Sequence, residues 1–197
     1  MKKIMWTLLI ILATTAAAGI AQEPDMQLEQ PVLITSCGQS PGPVRLKIFM
    51  KRLEYDFDYN VTATAADLQA EKEAGTPYMS LFIVTGASLK GMGAAGVSMK
   101  DELARTAALI AEAKKQGIII VGTHIEGMSR RAQGAAAGDN SDELSIDAVC
   151  QNADLLFVKS DGNEDGRFTV ISTDRNIPLL LFEKNSEMKT ALEKLFK

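Results

Sequence analysis

Cysteine is scarce in this sequence, with two in 197 residues. That excludes a disulfide-stapled miniprotein and a four-cysteine structural zinc site. There is no basic surplus either, since 25 acidic side chains against 21 basic ones leave a formal net charge of −4. An acidic chain offers no electrostatic footprint for nucleic acid or an anionic membrane surface. The apolar run at the N-terminus falls short of the ~20 residues a spanning helix needs, and no stop-transfer pattern follows it. The 15 glycines and 6 prolines are scattered, which excludes collagen-like and low-complexity chains. No internal repeat is visible. The chain is 46% apolar, enough for one core in a single domain of the usual ~100–200 residues.

Residues 1–21 read as a signal peptide. Lys2 and Lys3 form a basic start, Ile4 to Leu12 an apolar stretch, and Gly19-Ile20-Ala21 or Ala16-Ala17-Ala18 a small-residue cleavage site. No cysteine stands at either site, so lipoprotein processing is not indicated. The mature chain is therefore expected to be periplasmic or secreted and not inserted in a membrane. Loss of the two leader lysines and of no acid takes its net charge from −4 to −6, and Trp6, the only tryptophan, leaves with them. Residues 22–30 are polar and read as a flexible tether, leaving residues 31–197 as the domain.

Aliphatic runs alternate with amphipathic stretches through that domain. Strands are expected at 32–35, 55–61 (more polar, so an edge), 79–85, 118–123, 154–159 and 178–182. Between them lie helical patterns: Leu46, Phe49, Met50 and Leu53 share one face, Thr64 with Asp67 and Ser98 with Asp101 form capping boxes, and Gly117 terminates a helix. Near-continuous aliphatic strands separated by helices imply a parallel sheet covered on both faces. The expected fold is α/β: a three-layer, doubly wound, mainly parallel sheet of five to six strands. Its flavodoxin-like strand order is favoured over the Rossmann-like one because the second strand reads as an edge.

In such sheets ligands bind outside the carboxyl ends of the strands. The connections on that rim, 36–42, 86–97, 124–139 and 160–166, include two longer than the usual 2–6 residues, whereas those on the opposite rim are short. This asymmetry is the main functional signal. Gly91, Gly93 and Gly96 formally spell GxGxxG, but they come too late after the strand, and no acidic residue closes the next one, so no dinucleotide cofactor is implied. Their amides, with Lys90, remain candidates for an anion nest. Asp161, Asn163 and Asp165 match the first half of a calcium loop, yet Ser172 stands where its bidentate glutamate belongs, which favours a hydrogen-bonded Asx turn. Cys37, His124 and Glu126 share the rim and compose a possible thiol-hydrolase set, although Pro43 replaces the arginine of a phosphatase loop. A thiol at a helix N-terminus would have a lowered pKa. Cys37 and Cys150 are expected to stay unbridged, because the topology puts them at opposite rims.

The segments 31–36 with Gly38-Gln39-Ser40-Pro41, 90–96, 101–105, His124-Ile125, Arg130-Arg131 and 163–166 together resemble a bacterial family of exported single-domain proteins known only as a domain of unknown function. The resemblance spans nearly all of residues 31–197. It implies an exported single domain and no particular activity. It also implies alanine as the usual residue where Cys37 stands, which counts against a thiol nucleophile.

The functional expectation is an exported domain that binds a small polar or anionic ligand at the carboxyl rim. The residues nominated are Ser36, Gln39, Ser40, Lys90, Gly91, Gly93, Gly96, His124, Arg130, Arg131, Asn163 and Asp165. No cofactor and no metal are expected. Arg130 and Arg131, the only Arg-Arg pair, are the expected charge partners, and as rim side chains they are expected to contribute little to stability. Two other readings stay open: an enzyme using His124, Glu126 or Cys37, and a protein–protein module of the cell envelope.

Overall fold

The computed structural model describes residues 26–132 and 140–196; the expected leader with its expected cleavage sites and residues 133–139 lie outside them. Six strands form one sheet: β1 (Val32–Cys37), β2 (Phe57–Tyr59), β3 (Ser80–Thr85), β4 (Ile119–His124), β5 (Leu155–Lys159) and β6 (Leu179–Phe182). Every pairing is parallel, and the order is β2-β1-β3-β4-β5-β6. The expected flavodoxin-like order is present, with the polar second strand at an edge. The chain leaves β1 toward β2 and returns on the other side to β3, so the switch point lies between β1 and β3.

Alternate residues of the central strands feed two separate cores, which is why polar residues in β1, β3 and β4 are confined to Ser80 and to the carboxyl ends, at Thr35, Ser36, Thr85, Thr123 and His124. Leu33, Leu81, Ile83 and Ile120 face helices α2 (Ala65–Ala74), α4 (Met99–Gln116), α5 (Ser141–Cys150) and α6 (Arg167–Arg175). Ile34, Phe82, Val84 and Val121 face α1 (Gly42–Arg52) and α7 (Met188–Leu195). The capping boxes predicted at Thr64/Asp67 and Ser98/Asp101 open α2 and α4, and Gly117 closes α4 in the left-handed conformation.

Two expectations about irregular segments are corrected. The end of the supposed tether is docked: Leu28 is 3% exposed, bridges Phe196 and donates its amide to the Leu195 carbonyl at 2.7 Å. The polar composition of 22–30 hid one apolar residue that completes the core under α7. The glycine-rich connection contains a helix, α3 (Leu89–Ala95), capped by Ser88, whose Oγ accepts from the Gly91 amide at 3.1 Å. The unfavourable helix propensity of its glycines is offset by that cap, by burial of Met92, and by a backbone approach that only glycine permits.

A Cβ on Gly91 would lie 2.1 Å from the Gln39 carbonyl oxygen, whereas one on Gly93 would meet nothing. Gly91→Ala is therefore expected to destabilise by about 1–3 kcal/mol, the usual range for overpacking. Gly93→Ala is expected to stabilise by up to about 1 kcal/mol through helix propensity. Urea midpoints of the two variants check this; equal midpoints would contradict the contact.

Candidate functional site

The loops after β1 and β3, which flank the switch point, are pinned to each other. Gln39 pairs with Ala87 in an isolated antiparallel bridge, and the Ser88 amide donates to the Gly38 carbonyl at 2.7 Å. Gly38 has φ +99, and a Cβ there would sit 2.5 Å from the Gly86 carbonyl oxygen, so the approach of the two loops requires glycine.

The rim amides expected to receive an anion are taken up by the protein's own acceptors. Glu102 of α4, fully buried, accepts from the Gly38 amide and the Gln39 side-chain amide, each at 2.9 Å. Arg105 pairs with it at 3.0 Å and donates to the carbonyls of Ser36 and Ala63 at 2.6 Å. Burial by itself would raise the Glu102 pKa, but Arg105 and the Gly38 amide hold it below the usual value. Asp142 and Ser145 of α5 take the amides of Ala87 at 2.6 Å and Gly86 at 2.9 Å. Glu126 accepts from the Gly42 amide at 3.1 Å, in the first turn of α1 where Ser40 Oγ also lies. A helix N-terminus is a ready-made anion site, and here a carboxylate from the loop after β4 fills it. The Gly91 amide, already bound to Ser88, is likewise no part of an open nest.

The thiol-hydrolase set is not assembled. Cys37 pairs in register with Thr85 of β3, and Thr85 lies between it and β4, so Cys37 and His124 stand two strand spacings apart, about 10 Å. His124 is fully buried. Its Nε2 lies 3.0 Å from the Gly127 carbonyl, which can only accept, so this nitrogen carries the proton and Nδ1 accepts from Thr85 Oγ1 at 2.9 Å. Burial brings its pKa down to about 4, against the pull of the Gly127 carbonyl. Burial also pushes the Cys37 thiol up to about 11, the reverse of an activated nucleophile. Both ring nitrogens of the single histidine are thus engaged. Cys37 and Cys150 are free, as expected, and both are buried.

Arg131 departs most from expectation. Its side chain is 1% exposed and its fork is filled by Glu143 at 2.7 Å, Asp165 at 2.7 and 3.0 Å, and the Gly162 carbonyl. It joins α5 to the loop after β5 and faces inward, because two acids and a carbonyl converge there. Asp165, nominated for ligand or calcium, is therefore a partner of Arg131. Asn163 Oδ1 accepts from the amides of Phe168 and Thr169, five and six residues on, at the start of α6, and the Asx turn of this loop is at Asp165, whose Oδ1 accepts from the Arg167 amide at 3.2 Å. Asp161 pairs with Lys159. Among the described residues no group of three or more His, Cys, Asp or Glu side chains has the arrangement to hold a metal ion.

Of the nominated residues, the structure gathers Ser40 and Arg130 with Glu126 at the mouth of β1, β3 and β4. Gln39 and the backbone of Ser36 belong to the Glu102–Arg105 cluster beside it, and the Ser36 hydroxyl donates to the Val61 carbonyl at 2.9 Å. Lys90, Gly93 and Gly96 lie along and just past α3 at the surface. Sequence reasoning missed Glu102, Arg105, Asp142, Glu143 and Ser145. A signal for one of them existed. Glu102 stands on the same stripe as Thr106, Leu109, Ile110 and Ala113, all buried, and a charge on an apolar stripe asks for a partner.

The profile of one protein family, described as "Domain of unknown function (DUF6305)", matches residues 29–196. The chain belongs to this family. The match begins beside Leu28, at the start of the docked segment, and takes in all six strands. No curated protein matches the sequence. Among solved structures, a GDSL-like lipase from Bacteroides thetaiotaomicron VPI-5482 is similar at 14% identity and a TM-score of 0.33, over 76% of this chain and 66% of that one, just under two thirds of its length. The psychrotrophic esterase EstA from Pseudoalteromonas sp. is similar at 12% identity and a TM-score of 0.31, over 82% of this chain and 93% of that one.

Proposed function

We propose that this member of the family is an exported binding domain that takes a small polar or anionic ligand at the carboxyl rim, with Arg130 as its charge partner. The observation that carries the reading is the state of that guanidinium. Nη1 donates to the Ala87 carbonyl at 2.7 Å, while Nε is buried with no hydrogen-bond partner among the described residues. Glu126 Oε1 lies 3.6 Å from it, close enough for attraction and too far for a hydrogen bond. A buried donor left unmatched is costly, and an oxygen of a bound ligand would match it. The side chain as a whole is 27% exposed, and Nε itself is enclosed, so a ligand that meets it must shift the groups around it. Its stem packs over Gly86 beside Ser40, at the switch point, where doubly wound sheets hold their ligands. Arg131, neutralised internally, has no part in this site.

Export follows from the leader at residues 1–21. Protein recovered from the exported fraction of its own cells, analysed by native mass spectrometry, tests both parts. The expected polypeptide begins at or within three residues of Gln22 and carries an additional small mass; a retained Met1 would overturn export. Arg130→Gln is expected to weaken calorimetric binding of the released molecule by about 1.5–3 kcal/mol, the worth of a charge-assisted hydrogen bond. Lys114→Ala, at the far end of α4, should leave it unchanged. Equal affinity in wild type and Arg130→Gln would remove Arg130 from the site.

A further inference from the structure

A cavity runs along α6 from the rim residue Asp165 to Arg175 at the other end of the helix. A cleft of about 530 Å³ opens between α5 and α6, within the size range of small-molecule sites. One wall is a continuous polar chain. Arg167 Nη2 donates to Asp147 Oδ1, Gln151 Nε2 donates to the same oxygen at 3.2 Å, and Arg175 Nη2 donates to Gln151 Oε1 at 3.0 Å. The α6 residues that line the cleft, Arg167, Val170, Asp174 and Arg175 among them, recur at i, i+3, i+7 and i+8, one face of the helix. Adjacent helices normally bury such faces against each other. Here Val170 stays 57% exposed.

The charges at the two ends differ. Arg167 is balanced by Glu143 at 2.9 Å and by Asp147. Arg175 is held in place by a neutral amide and enters no ion pair among the described residues. Asp174, its neighbour on the same lining face, has no polar partner among them either. One end of the cleft thus presents an exposed guanidinium held by one hydrogen bond to Gln151 and an exposed carboxylate, neither in an ion pair among the described residues, next to an exposed aliphatic side chain.

We infer that the α5–α6 cleft is a binding site for an aliphatic α-amino acid. The α-carboxylate meets the free edge of Arg175, the α-ammonium meets Asp174, and the side chain covers Val170. Arginine suits the carboxylate because its planar fork offers parallel donors, and fixation by Gln151 removes part of the ordering cost. The site is separate from Arg130 and does not depend on the rim reading.

Two-dimensional amide NMR of the labelled mature chain, titrated with L-leucine to about 10 mM, tests it, since an open site of this kind is expected to bind in the millimolar range. Saturable shifts should appear in α5 and α6 and be absent from the loops after β1 and β3. Isocaproate, which is leucine without its ammonium, and isoamylamine, which is leucine without its carboxylate, should each bind at least about tenfold more weakly. Arg175→Gln should lose at least about tenfold in affinity for leucine, with a spectrum that otherwise reports the native fold. Arg130→Gln should bind leucine as wild type does. Absence of saturable shifts, binding of either analogue as tight as that of leucine, or undiminished binding by Arg175→Gln would each overturn the site.

Discussion

Replacing Arg131 by alanine is expected to lower the unfolding free energy by about 3–5 kcal/mol, the usual cost of removing one partner from a buried ion pair. The guanidinium is almost wholly enclosed and answers two carboxylates and a backbone carbonyl, so its removal strands all three acceptors. Glu143 and Asp165 are 21% and 37% exposed, and their partial hydration places the expected loss toward the lower end of that range. Glu143 also holds the Ala132 amide at 3.2 Å and Arg167 at 2.9 Å, so the damage extends to the loop after β4 and to the start of α6. Lysine keeps the charge without the planar fork and should recover only part of the loss. Urea denaturation of Arg131→Ala and Arg131→Lys decides the point. A loss below about 1 kcal/mol for the alanine variant would mean that the pair behaves as a solvated surface contact.

The second large effect is a loss of stability in acid that originates at His124. In the folded protein burial holds its pKa down to about 4, whereas an unfolded histidine titrates near 6.5. The unfolded chain therefore binds this proton first as the pH falls. The histidine's contribution is intact above about pH 6.5, declines through the interval, and is fully lost below about pH 4. The difference between the two values corresponds to about 3 kcal/mol. Arg131 nearby also opposes a second positive charge. Because the chain has one histidine, its imidazole resonances need no assignment. They should keep their neutral shifts to below pH 5, and the urea midpoint should fall steadily from pH 6.5 to 4. An imidazole that titrates near 6.5 in the native protein would show that the ring is solvated.

The same residues show how far a linear reading reaches. Helix boundaries were legible where they depend on neighbours in sequence: a threonine or serine three residues before an aspartate, or a glycine that can adopt positive φ at Gly117. The parallel sheet was legible because strands buried on both faces are aliphatic on both faces through their middle positions. Even the edge position of β2 followed from its polarity. Leu28 was misread because composition averages over a segment, while docking depends on one side chain. α3 was misread because helix propensity counts its glycines and takes no account of the Gln39 carbonyl against which Gly91 packs.

Periodicity and local capping thus determined the layers, the strand order and the rim on which the long loops lie, since these depend on contacts within a few residues or on one face of an element. The state of each charge on that rim was decided only by tertiary structure. Arg131 finds Asp165 across 34 positions, Glu102 finds the Gly38 amide across 64, and Glu126 finds the first turn of α1 across 84. No spacing in the chain encodes such pairs, because a buried charge is matched by whichever groups the fold brings within about 3 Å. Two adjacent arginines that look alike in sequence consequently end in opposite states, Arg131 sealed among acids and Arg130 with a donor still unmatched at the switch point.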